Sequence, residues 1–134
     1  MMLITHLLLI FVALFANNLI VEISEISEAK GTLRVAVYDH AETHLDAHQL
    51  AFYKEVKVRQ TGTMQIILSL PPGTYSLAVY HDLNDDKELN TNFLGMPKEP
   101  YGFSNNAMGT FGPPSFDAAK FDTPETTRVS ISLH

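Results

Sequence analysis

The chain has 134 residues, which is room for one domain and not two, and its 46% apolar content supports a packed core and argues against global disorder. It has no cysteine, so disulfides and thiolate-bound zinc are excluded while the compartment stays open. The formal charge of −6 is local: Glu22, Glu25 and Glu28 precede the first base, Asp82–Asn90 sets four acids against Lys87, and the remainder balances, a pattern that suits a cation and speaks against nucleic acid as partner.

The N-terminal stretch MMLITHLLLIFVALFANNLIVEIS is apolar from Leu3 to Ala16 except at Thr5 and His6. The run Leu7–Ala16 has the length of a leader h-region and is short for a membrane span. Two features depart from a leader. The n-region lacks Lys and Arg, and two cleavage positions compete. Ala16 is small but has Leu14 two residues before it, whereas Ser27-Glu28-Ala29 fits the small-x-small rule farther from the apolar run. Leu19, Ile20 and Val21 also allow an uncleaved anchor. Residues 1–29 are therefore expected to be a signal peptide or N-terminal membrane anchor with a short linker, and 30–134 the folded domain. The expected location is exported: periplasmic, secreted or membrane-anchored.

Period-two alternation marks the strands that follow. Gly31–Tyr38 places Leu33, Val35 and Val37 on one face, and Val56–Arg59 alternates briefly. Met64–Leu70 places Met64, Ile66, Leu68 and Leu70 together, and Tyr75–Tyr80 turns Tyr75, Leu77 and Val79 inward. Arg128–Leu133 does the same with Val129, Ile131 and Leu133. Pro71-Pro72-Gly73 reads as a tight turn in which glycine takes a positive φ. Asp46–Tyr53 reads as a short helix or irregular bridge. Thr91–Glu125, punctuated by Gly95, Pro97, Pro100, Gly102, Gly109, Gly112, Pro113, Pro114 and Pro124, reads as one long irregular loop pinned by aromatics. Within it Ser115 caps a single helical turn at Phe116–Lys120. The fold class expected is all-β, an antiparallel sandwich of about seven strands.

HDLNDDKELNTNFLG, His81–Gly95, carries the clearest chemistry. Calcium takes six or more oxygens from a tightly curled loop, with side chains at the first, third, fifth and ninth positions and a backbone carbonyl at the seventh. Counting from Asp82, these are Asp82, Asn84, Asp86, Asn90 and the carbonyl of Glu88, with Leu89 at the position that tucks into a core. Two positions depart. Lys87 stands where glycine supplies a positive φ, and Phe93 stands where a bidentate acid closes the site. A closing ligand must come from elsewhere: Asn92, Glu99 or water. The competing reading is a solvated turn whose Asn and Asp side chains bond their own backbone.

His40, His44 and His48 recur at helical spacing, but no buried face accompanies them, so a solvated loop is expected rather than a zinc site. His81 and Asp82 end a strand, where neighbours point to opposite faces. A hydrolase using His81 and nearby carboxylates is the alternative to a non-enzymatic binding or structural module. It requires His81, an acid and a partly buried cavity to converge. No nucleophile elbow or phosphate-binding glycine loop is present, and no residue is assigned a catalytic role.

The blocks LPPGTYSLAVYHD, LNTNFLGMPKEPYGFSNNA and FGPPSFDAAKF together resemble the bacterial family catalogued as domain of unknown function 2141, over about Gly31 to Leu133. The resemblance implies an exported immunoglobulin-like or prealbumin-like sandwich with no established biochemical activity. It also implies an acidic loop of the form Asp-x-Asn-x-Asn/Asp-Gly-x-Leu-Asp. This chain matches at Asp82, Asn84, Asp86 and Leu89 and departs at Lys87 and Asn90, which weakens calcium binding relative to a typical member. LPPGTY is similar to a turn of carboxypeptidase regulatory-like and adhesin-type sandwiches. The Ser-Leu-His end does not match the Tyr-Arg-Gly-Ser of a prealbumin-like hydroxyisourate hydrolase.

Overall fold

The computed structural model describes residues 16–91 and 97–134. Among these lie eight strands: β1 (Asn17–Ile26), β2 (Thr32–Tyr38), β3 (Phe52–Lys57), β4 (Gly62–Leu70), β5 (Gly73–Asp82), β6 (Tyr101–Phe103), β7 (Phe121–Thr123) and β8 (Arg128–Ser132). One helical turn, α1 (Phe116–Ala119), precedes β7. The strands form two sheets, β4-β1-β8 and β3-β2-β5-β6, with β7 also paired to β5. The result is an all-β, sandwich-like fold with open sheets. At one corner Tyr101 and His134 exchange backbone hydrogen bonds of 3.0 and 3.3 Å, joining the end of β8 to β6. At the other ends of the sheets Lys54 Nζ, on β3, donates to the Ile67 carbonyl of β4 at 3.0 Å.

The alternating positions face each other across the core, as the period-two pattern requires. Leu33, Val35 and Val37 of β2, Leu77 and Val79 of β5, and Ile66, Leu68 and Leu70 of β4 are all buried. Val129, Ile131 and Leu133 complete that layer. The register of β2 against β5 pairs Leu33 with His81 and Thr32 with Asp82. His81 therefore looks toward the core side of its sheet, and Asp82, Thr32 and Arg34 look the other way.

Four expectations change. The domain does not begin at Lys30: β1 is the middle strand of its sheet, antiparallel to β4 and parallel to β8. Leu19, Val21, Ile23 and Ile26 are all buried. A bulge between Ile23 and Ile26, with Glu25 at φ 64°, shifts the alternation by one and returns Ile26 to the core. Each such side chain contributes about 1.5–3 kcal/mol on burial before the entropy of ordering it is subtracted, so β1 is part of the core that holds the fold. The rest of the expected leader or anchor, residues 1–15, lies outside the described residues, among which no helix is long and apolar enough to cross a membrane. Second, the antiparallel sandwich, present as expected, has one parallel pair, because β1 and β8 run the same way. Third, Thr91–Glu125 is not one irregular loop. It holds β6, α1 and β7, pinned where Asn105 Nδ2 donates to the carbonyls of Ala118 and Lys120. Ser115 caps α1 as expected, its Oγ accepting from the Ala118 amide at 3.2 Å. Fourth, Phe52 and Tyr53, read as part of a helix or bridge, open β3.

Candidate metal centre

The backbone builds the site before any side chain does. β5 ends at Asp82, and the chain returns antiparallel to it, with the His81 amide donating to the Pro100 carbonyl at 2.8 Å. That return sets Glu99 beside the start of the acidic loop. Lys98 N donates to the Asn90 carbonyl at 2.7 Å, and Thr91 bridges Pro97, so both limbs are tied. Asp85 and Lys87 take left-handed φ values of 55° and 66°, which curl the loop back over the strand end.

Asp82 is fully buried, and its Oδ2 accepts from Arg34 Nε at 2.7 Å and from the Lys87 amide at 2.8 Å. Its Oδ1 is buried and accepts no hydrogen bond from the described residues. Glu99 is 6% exposed and clamps the loop with both oxygens, accepting from the Leu83 amide at 2.7 Å and the Asn90 amide at 3.0 Å. Asp86 accepts from the Glu88 amide at 3.0 Å, Asn90 Nδ2 at 2.9 Å and Asn84 Nδ2 at 3.2 Å. The Asn90 side chain holds the Asp86 carboxyl below the usual range, with the Glu88 amide adding to it. Asp82, Asp86 and Glu99 each bring one carboxylate oxygen to within 4.8 Å of the others. Among the described residues, Asn90 Oδ1 is a second loop oxygen buried without a partner.

Three carboxylates this close repel unless something positive lies among them. Arg34 supplies one compensating charge. Its side chain is buried, and it also pairs with Glu55 and donates to Tyr53 Oη at 3.0 Å. Burial works against its charge, yet bonds to Tyr53 and Asp82 outweigh that and raise its pKa. Buried polar groups are ordinarily hydrogen-bonded, and an orphaned carboxylate oxygen in a cluster of acids suits a donor or a cation. All the oxygens at hand are hard donors of the kind calcium and magnesium take.

Of the residues singled out from spacing, Asp82, Asp86 and Asn90 come together. Asn84 is turned onto Asp86, accepting from its amide at 3.3 Å as well as donating to it. Glu88 is exposed and contributes its amide to Asp86. Among the three closing ligands considered, Glu99 is brought to the site, while Asn92 lies outside the described residues. Lys87 takes the positive φ that its position demanded. Arg34 gave no sequence signal, because a charged residue at the outward position of a strand is ordinary. Asp85 leaves the cluster and binds Thr32 Oγ1 and Lys57 Nζ.

The histidines are placed by their contacts. His81 is fully buried, and its Nε2 lies 2.6 Å from the Lys30 carbonyl. It lines neither the hollow at Thr32, Arg34 and Asp85 nor the one at Asp39, His40 and Gln49. The histidine triplet is not a uniformly solvated loop. His44 sits between Ser76 Oγ at 3.0 Å and the Pro114 carbonyl at 3.1 Å, edge-on to Tyr38 and Phe116. His40 and His48 are exposed, and the ligand atoms that cluster among the described residues belong to Asp82, Asp86 and Glu99 and to none of the three histidines.

A family model described as "Uncharacterized protein conserved in bacteria (DUF2141)" matches residues 21–132. The chain belongs to this family. The match opens inside β1 and closes at the end of β8, so the family domain covers both sheets and the acidic loop. Searches of curated proteins and of solved structures find no match.

Proposed function

We propose that this DUF2141 domain is an exported, non-enzymatic module that binds one calcium ion between the Asp82–Asn90 loop and Glu99. The observation that carries it is the buried Oδ1 of Asp82, which no hydrogen bond from the described residues satisfies, beside two further carboxylates. Charge supports it as well: three acids against the single guanidinium of Arg34 leave a deficit that a divalent cation cancels. Calcium is preferred to magnesium because the oxygens come from an irregular loop and a separate segment at Glu99, and magnesium demands a stricter octahedron. The missing acid at Phe93 and the cation at Lys87 set the affinity low, about 0.1–1 mM, in the range of extracellular modules. Such a site fills outside the cell and stays empty in the cytosol, which agrees with an apolar N-terminal leader. The bound ion ties the end of β5 to the segment returning to β6 and stiffens one end of the sandwich for a partner or a cell-surface role.

Thermal unfolding of the full chain in millimolar calcium and in chelator tests the reading. At about 1 mM calcium and that dissociation constant, the site adds about 0.4–1.4 kcal/mol. Asp86→Asn, at an exposed position, is expected to keep the fold and lose the calcium-dependent rise. Equal midpoints for both proteins in calcium and chelator would show the loop to be a solvated turn.

A further inference from the structure

We propose that the exported protein is generated by hydrolysis of the Ala16–Asn17 peptide bond, and that the competing bond, Ala29–Lys30, is left intact. This rests on the export reading above and is independent of calcium. Small-residue patterning alone favours Ala29, because Ser27 and Ala29 are both small while Leu14 is large. The fold decides otherwise. Asn17 is the first residue of β1 and is already in register with Leu70. Leu19, Val21, Ile23 and Ile26 fill the core, and β1 is the strand that both β4 and β8 pair with. A cut after Ala29 removes that middle strand and leaves two edges facing an empty slot. It also places a new ammonium terminus on Lys30, whose carbonyl lies 2.6 Å from the ring of buried His81. The family match begins at residue 21, inside the strand that such a cut would discard. A cut after Ala16 severs the apolar run and leaves every residue of β1 in place.

The reaction is a plain hydrolysis. Water adds across the amide, Ala16 leaves with a carboxylate, and Asn17 becomes the amine terminus, with no redox partner required. The enzyme class is a membrane-bound leader peptidase that accepts alanine immediately before the scissile bond and tolerates an aliphatic residue at the position of Leu14.

The test is to express the full chain in a bacterium, separate cytosol, membrane and extracytoplasmic fractions, and read the terminus by intact mass and N-terminal sequencing. The expected product lies outside the cytosol and starts at Asn17. An extracytoplasmic product starting at Lys30, or a membrane-held one retaining Met1, overturns the proposal while leaving export standing. Cytosolic protein retaining Met1 overturns export and the proposal together. Two variants sharpen the result. Ala16→Trp is expected to block processing, and Ala29→Trp, at an exposed position, to leave it unchanged. Blocked processing in Ala29→Trp alone contradicts the assignment.

Discussion

Lys87 sits at φ 66°, a conformation that costs a side-chain-bearing residue about 1–2 kcal/mol, while its amide holds Asp82 Oδ2. Lys87→Gly keeps that amide, removes the strain and removes a positive charge from the acidic loop. It is expected to raise stability by about 0.5–1 kcal/mol in urea unfolding and to tighten calcium binding; a lower midpoint would contradict this. Gly31 is the reverse case. Its φ is 71°, and a Cβ there would lie 2.2 Å from the Asp82 carbonyl oxygen. Gly31→Ala is expected to cost more than about 1 kcal/mol by the same measurement. Gly73, read from Pro-Pro-Gly as the residue needing positive φ, opens β5 without one, and its Cβ would meet the Tyr75 ring at 3.3 Å. Composition marks a turn without saying which of its residues bends the wrong way, so Lys87 was legible from the loop pattern and Gly73 was misread. Asp46 provides a pH test away from the site. Its carboxyl is held below the usual 3.8 by the His48 amide and then the Gln49 side chain. A depressed folded value stabilises above the unfolded pKa and is lost as pH falls through the folded one. Asp46→Asn is expected to flatten the acid limb of stability below about pH 4, measured by urea unfolding across pH.

At the level of elements, the inward faces of β2, β4, β5 and β8 were legible because strict alternation survives translation into a half-buried strand. β1 was not, although Val21, Ile23 and Ile26 carry a strand signal, because the apolar run before it merges with Leu19 and Ile20 and reads as a continuation of a leader. The bulge at Glu25 also breaks the period that would have separated them. β6 and β7 have three residues each, too few to alternate, and lie among prolines and glycines. Ile23→Ala is expected to cost about 2–5 kcal/mol in chemical unfolding, the price of a cavity in the core. Its neighbour Glu22 pairs with Arg128 at 2.9 Å on the surface, and Glu22→Ala is expected to cost no more than about 1 kcal/mol. Comparable small losses for both would remove β1 from the core.

For the whole molecule, the acidic loop was legible as a nine-residue pattern, and its closure was not. Spacing offers Asn92, Glu99 or water alike; only the antiparallel return from β5 toward β6 selects Glu99 and buries it against the Leu83 and Asn90 amides. Arg34 reaches the three acids from β2, across the sheet, so the charge balance around them is a property of the assembled sandwich. The central claim is that this assembled cluster takes calcium. Calorimetric titration of the full chain with calcium chloride tests it most directly. The account predicts saturable binding of a single ion per chain with a dissociation constant of about 0.1–1 mM, abolished in Asp86→Asn and weakened at least about tenfold in Glu99→Gln. Heats equal to those of dilution in the folded protein, or saturable binding unchanged in both variants, would contradict it.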